Sequence, residues 1–207
     1  MLEAFIWDFD GTLYDTYPVM VDAVQQTLSD YGFKADKELI YKVMKQRSTK
    51  ELRERYSLTE EQFTPKFHNY EAADQRISPP FKETKEVLEQ IVKNGGTNYV
   101  LTHRGTASTW ELLKHDQLDT LVEEVIGLDM DFPRKPDPTS LNFLIEKYGL
   151  NKENTIMIGD RKLDIDAGIN ANVVTCLFDI DHFLGEVNAT HVVHNLKDIL
   201  SLPHTEE

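Results

Sequence analysis

Ala4-Phe-Ile-Trp-Asp8-Phe-Asp10-Gly-Thr12-Leu-Tyr-Asp15-Thr16 is the stretch whose reading decides the fold: an apolar run that stops on two aspartates and a glycine. It predicts a strand that delivers two carboxylates to its own end. Side chains two apart on a strand share a face, so Asp8 and Asp10 can both address one metal ion or one phosphate. Gly11 lets the backbone turn sharply and approach a ligand closely. An isolated Asp-x-Asp is also compatible with a strand-to-loop junction whose carboxylates merely cap a turn. The rest of the chain must separate the two readings.

With 207 residues, 40% of them hydrophobic and 28% charged, the composition is that of an ordinary globular protein. The length suits one domain, or a core with one insertion. Net charge is -14, from 22 basic and 36 acidic residues, with no basic block. Nucleic acid and an anionic membrane surface are therefore excluded as expected partners, because both need clustered Lys and Arg. The same field repels a phosphorylated small molecule, so any site for one must create its own local positive charge. Cys176, the only cysteine, lies in the apolar run Val173-Val-Thr-Cys-Leu-Phe178 and reads as a buried strand thiol. The N-terminal stretch is too short for a signal segment and no window approaches a membrane span, so the expected location is the reducing cytoplasm. Oligomeric state is not legible in the sequence.

Beyond the opening strand, apolar residues at Tyr17, Met20, Val21, Val24, Leu28 and Tyr31 predict a helix, with Pro18 in its first turn and Gly32 at its exit. Asp36 caps a second helix. Ser48 with Glu51, and Thr59 with Gln62, match the capping box and predict a third over Thr49 to Tyr56 and a fourth from Glu60, which Pro65 should kink or interrupt. No strand pattern occurs between Asp15 and Arg76. The predicted organisation is a catalytic core from residues 1–14 and 80–207 with an all-helical insertion at 15–79. After Pro79-Pro80 the pattern alternates: helix 82–94, strand 97–102, helix 106–115, strand 125–128, helix 138–148 capped by Asp137, strand 155–158, helix 162–171, strand 173–178, a short strand 191–193 and a last helical turn. Such alternation predicts an α/β fold, a Rossmann-like parallel sheet covered by helices on both faces. Residues 205–207 read as frayed.

In an open parallel sheet, ligands sit beyond the carboxyl ends of the strands. Polar chemistry gathers there: Asp8 and Asp10 on the first strand, Thr102-His103-Arg104 on the second, Gly159-Asp160-Arg161 on the fourth, and the loop Arg134-Lys135-Pro136-Asp137-Pro138. Singly, Thr102 can simply finish a strand, Lys135 can be a solvated loop lysine, and Asp160 with Asp164 can be a turn and a helix-start carboxylate. Their joint order is the specific signal.

Taken together, these four segments resemble the motifs of the haloacid dehalogenase superfamily of phosphohydrolases, over nearly the whole chain. Asp8-Phe-Asp10-Gly-Thr12-Leu is similar to its first motif, Val100-Leu-Thr102 to its second, Lys135-Pro-Asp-Pro to its third and Gly159-Asp160-Arg-Lys-Leu-Asp164 to its fourth. The helical insertion resembles the cap of the subgroup containing phosphoglycolate phosphatase and beta-phosphoglucomutase. The resemblance implies a Mg2+-dependent phosphatase acting on a small phosphorylated metabolite. Asp8 would attack phosphorus and form an aspartyl-phosphate, while Asp10 would protonate the leaving oxygen and then deprotonate water. It further implies Mg2+ held by Asp8, Asp160 and the backbone carbonyl of Asp10, with Thr12 and Asp164 behind them. Thr102 and Lys135 would bind phosphoryl oxygens, with His103 beside them as a further candidate.

The acid at Asp10 disfavours dehalogenation, since a halide leaves without a proton. A phosphomutase of the beta-phosphoglucomutase type, and a catalytically silent binding module on the same fold, remain the alternatives. In the resemblance the cap closes over the core and meets the substrate beyond its phosphate, which makes Arg47 and Ser48 candidates for specificity, with Arg104 a third. Each also has an ordinary reading, as a solvated helix end or a surface residue. Tyr14, Trp7 and Trp110 read as packing residues, and Asp129, Asp131 and Asp166 as solvated carboxylates.

Overall fold

The computed structural model describes residues 2–202. Residues 205–207, expected to fray, lie outside the described residues. By its internal contacts the chain divides into two compact units, one running up to Tyr14 and resuming at Pro80, the other spanning Asp15–Pro79.

The first unit is built on a parallel sheet of six strands: β1 (Ala4–Trp7), β2 (Thr97–Leu101), β3 (Glu124–Ile126), β4 (Thr155–Gly159), β5 (Val174–Phe178) and β6 (His191–Val193), in the order β3-β2-β1-β4-β5-β6. Strand β1 is central, with Trp7 in register with Val100 on one side and Ile158 on the other. The order reverses at β1, which makes the ends of β1, β2 and β4 the switch point where such sheets bind ligands.

Period-two alternation divides the core between the two faces. Phe5 and Trp7 join Val100, Ile156, Ile158 and Cys176 in one apolar cluster, whereas Ala4 and Ile6 join Tyr99, Leu101 and Met157 in the other. Trp7 is fully buried, and its indole donates to Asn98 Oδ1 at 3.0 Å. Tyr14 is also core: its ring stacks on Phe9 at 4.4 Å and its hydroxyl bonds the Leu112 carbonyl and Asp116. Burial pushes the Cys176 thiol up to about 12, so this cysteine is inert as a nucleophile at neutral pH.

The second unit holds four helices: α1 (Tyr17–Asp30), α2 (Lys37–Gln46), α3 (Thr49–Arg55) and α4 (Glu60–Ala73). Val24, Leu28, Ile40, Met44, Leu52 and Phe63 form its buried centre. Asp36 caps α2 by accepting from the backbone N–H groups of Glu38 and Leu39. Thr59 and Gln62 form the full reciprocal box, but at α3 only the Ser48 half is made, because Ser48 accepts from Glu51 N while the Glu51 carboxylate lies 3.8 Å from Arg47. Pro65 does not interrupt α4, which continues to Ala73. At the sixth position of the helix it removes one hydrogen bond near the start, and Phe63 and Phe67, buried on either side of it, hold the turn together by packing.

Back in the first unit the remaining helices are α5 (Thr84–Lys93), α6 (Thr106–His115), α7 (Thr139–Tyr148) and α8 (Lys162–Ala171). Helix α5 starts at Thr84 rather than Lys82, where the Thr84 hydroxyl donates to the Leu13 carbonyl at 2.8 Å. Strand β3 ends two residues earlier than expected because Leu128–Met130 turns as a 3-10 helix. Asp129 in that turn accepts from both the backbone N–H and the hydroxyl of Thr106, so it tethers the start of α6 and is more than a solvated carboxylate. The last helical turn is 3-10, Leu196–Ser201. Among the described residues no helix is long and apolar enough to cross a membrane.

Candidate active site

Asp8 lies one residue past β1, its backbone N–H still bonded to the Ile158 carbonyl at 2.8 Å. That bond carries the sheet register past the strand and places the Asp8 carboxylate between β1 and β4. The side chain is 1% exposed. Its Oδ1 accepts from Lys135 Nζ at 2.6 Å, and its Oδ2 is buried with no hydrogen-bond partner among the described residues.

Lys135 arrives from the loop before α7. Its ammonium sits 2.6 Å from Asp8 Oδ1, 2.6 Å from Asp164 Oδ1 and 3.0 Å from the Leu101 carbonyl at the end of β2. Burial opposes that charge, but the Asp164 and Asp8 carboxylates outweigh it and hold the lysine above the ordinary lysine range. Burial alone would raise Asp8, and the charges of Lys135 and Arg161 override it to keep the carboxyl below the usual range. Asp164 goes the other way, pushed up by burial and by the negative charge of Asp8.

Asp160 follows β4 and is fully buried, with the Thr12 hydroxyl 3.5 Å from its Oδ1 and Arg161 Nε at 4.0 Å. Asp164 stands in the first turn of α8, where its Oδ2 accepts from Arg161 N at 3.1 Å. It lies so close to the end of β4 that a Cβ on Gly159 would come within 2.2 Å of its own Cβ. Glycine is therefore required at 159 by that close approach.

Carboxylate oxygens of Asp8, Asp160 and Asp164 lie within 4.8 Å of one another, an acidic cluster able to chelate a divalent metal ion. One feature fits a hard cation: three buried carboxylates face one buried ammonium and one partly exposed guanidinium. The carboxylate of Asp10 is not part of this cluster. Both Nε and Nη2 of Arg104 bond its Oδ1, each at 3.0 Å.

Thr102 is buried at the end of β2, where its Oγ1 accepts the Arg104 N–H at 3.0 Å. His103 Nε2 accepts the Lys135 backbone N–H at 3.1 Å, so the imidazole braces the lysine loop. Arg47 and Ser48 belong to the helical unit, Arg47 at the exposed end of α2 and Ser48 capping α3. The pairing of Arg104 with Asp10, the bracing by His103 and the need for Gly159 are not evident from spacing. The sole hint was positive charge directly after Thr102.

Burial, followed by the nearby Lys135 charge, holds the His103 pKa down to about 3, against 6.5 for a free imidazole. Between those values the unfolded chain takes up a proton that the folded one refuses. His103 thus makes stability fall as pH drops from 6.5 toward 3. His103→Gln, whose side-chain oxygen can still accept the Lys135 N–H, should remove this part of the dependence. Denaturant titrations at pH 7.5 and 4.5 should show the wild type losing roughly 2 kcal/mol more than the variant; equal losses would refute the neutral acceptor.

Fold and site together define a Rossmann-like α/β phosphohydrolase with an inserted helical cap region. The family model of haloacid dehalogenase-like hydrolases matches residues 5–178, and the chain belongs to that family. Phosphoglycolate phosphatase of Aliivibrio fischeri is 28% identical over 80% of this chain and 79% of its own length. Pyrophosphatase PpaX of Halalkalibacterium halodurans is 24% identical over 97% of this chain and 96% of its own. Among solved structures, a hydrolase from Streptococcus pneumoniae is 29% identical with a TM-score of 0.66, covering 97% of this chain and 99% of that one.

Proposed function

We propose that this protein is a Mg2+-dependent phosphatase that hydrolyses a small phosphate monoester through an aspartyl-phosphate on Asp8. The observation that carries the reading is the state of Asp8 at the end of the central strand: one oxygen tied to Lys135, the other buried without a hydrogen-bond partner among the described residues. Such an oxygen, on a carboxyl held ionised by Lys135 and Arg161, is an unsolvated nucleophile.

Asp8 attacks phosphorus as the bond to the leaving oxygen breaks, and Asp10 gives that oxygen its proton. Water then attacks phosphorus of the aspartyl-phosphate and passes its proton to Asp10, which releases phosphate and restores Asp8. Lys135 and the Thr102 hydroxyl bind the phosphoryl oxygens, and His103 keeps the Lys135 loop in place. Asp8, Asp160 and Asp164 would hold a Mg2+ ion, which would supply charge neutralisation and orientation for the phosphoryl group. The net charge of -14 makes this local positive charge necessary for any anionic substrate.

The relatives' names supply two substrates to try first, phosphoglycolate and pyrophosphate. Purified protein should release inorganic phosphate from p-nitrophenyl phosphate and from at least one member of a panel of phosphorylated metabolites. Release should depend on Mg2+ and stop with a chelator. Absence of metal-dependent turnover across the whole panel would overturn the reading, and an isomeric sugar phosphate in place of free phosphate would turn it into a mutase.

A further inference from the structure

Phosphoryl transfer as described above uses Asp8, Asp10, Thr102 and Lys135, and it gives Arg104 nothing to do. Yet Arg104 makes a direct contact to Asp10. Two nitrogens of its planar guanidinium converge on a single carboxylate oxygen, Oδ1, at 3.0 Å each. The arm that holds them is itself fixed at three places. The Arg104 N–H donates to Thr102 Oγ1 at 3.0 Å, its carbonyl accepts the Leu128 N–H at 3.0 Å, and the guanidinium carbon lies 6.0 Å from the ring centroid of buried Phe9.

An aspartate carboxylate turns about a broad, weakly defined torsion, and the Asp10 side chain is 17% exposed, so water can compete for it. Proton transfer needs the donor oxygen within hydrogen-bond reach of the leaving atom. We propose that Arg104 is a positioning residue for the general acid. By occupying Oδ1 from two directions it sets the plane of the Asp10 carboxylate and reserves Oδ2 for the proton given to the leaving oxygen. The inference rests on the acid/base role of Asp10. A lysine at this position can place only one nitrogen on Oδ1, so the planar fork is the feature that matters.

Leaving-group dependence separates this role from a structural one. In a series of substituted phenyl phosphates, p-nitrophenolate departs with little need of a proton, whereas p-methoxyphenolate needs one. The value of kcat/KM reports steps up to departure of the phenol, so later hydrolysis of the intermediate does not enter. With Mg2+ present, Arg104→Met should lower kcat/KM for p-methoxyphenyl phosphate at least about tenfold more than for p-nitrophenyl phosphate, a fraction of what general acid catalysis supplies. Arg104→Lys should fall between wild type and Arg104→Met.

Asp10→Asn is measured beside them, alone and combined with Arg104→Met. It should show the same leaving-group pattern, and the double variant should be no worse than Asp10→Asn alone. Equal losses on every ester, or no loss, in Arg104→Met while Asp10→Asn keeps its pattern would overturn the positioning role and leave the acid/base role standing. Absence of the pattern in Asp10→Asn would overturn both.

Discussion

Asp8→Asn is expected to abolish turnover while the protein stays folded. An amide oxygen at that position is a poor nucleophile toward phosphorus, and the Asp8 oxygen that would attack is buried beside one fixed by Lys135. The fold should survive because the Lys135 ammonium keeps Asp164 at 2.6 Å and the Leu101 carbonyl at 3.0 Å. Acid-quenched mass spectrometry during turnover of p-nitrophenyl phosphate should find a phosphorylated peptide containing residue 8 in the wild type and none in the variant. A drop in kcat below about 10³-fold would mean that a different group attacks phosphorus, since losing a covalent nucleophile costs at least that much.

Lys135→Met should have the largest effect on stability. The substitution nearly preserves side-chain volume but removes the one ammonium that, among the described residues, pairs with the buried carboxylates Asp8 and Asp164. Breaking a buried ion pair by deleting one partner typically costs about 3–5 kcal/mol, because the remaining charge is left in a medium that solvates it poorly. Denaturant unfolding in the presence of a chelator should show a loss of that order. Mg2+ should recover more stability in the variant than in the wild type, because a cluster stripped of its cation attracts another more strongly. Inorganic phosphate should lose its hold on the active site, measured as inhibition of any remaining turnover. A stability loss below about 1 kcal/mol would mean that the three carboxylates are not ionised together, and the charge argument for a metal would fall with it.

The fold was largely legible because its signals are local. The apolar run of β1, helical spacing along α1, and Asp36 or Thr59 before their helices each depend on residues a few positions apart. The departures arose where a distant group intervened. Thr84 begins α5 because its hydroxyl reaches back to Leu13, and Asp129, still exposed, bonds the start of α6. At Pro65 the helix continues because apolar packing outweighs one missing hydrogen bond.

The candidate site divides in the same way. Strand-end carboxylates, the threonine closing β2, the lysine loop and the aspartates around the start of α8 stand out in the sequence, because each sits at the end of a recognisable element. Their joint resemblance to the four motifs of the haloacid dehalogenase-like hydrolases pointed to the family that the comparison identifies. What the sequence could not supply were the pairings between those ends. Lys135 and Asp8 stand 127 residues apart, Arg104 and Asp10 94 apart, and His103 and Lys135 32 apart. Each pairing depends on the strand order β3-β2-β1-β4-β5-β6, which brings the ends of β2 and β4 to either side of β1. By itself the sequence determined which residue types reach the carboxyl edge of the sheet, since strand period and helix caps are set by neighbours along the chain. Only the tertiary structure decided that Asp10 from the opening stretch belongs to Arg104 and that Asp8 beside it belongs to Lys135, because a charge pairs with whatever the fold brings within about 3 Å of it.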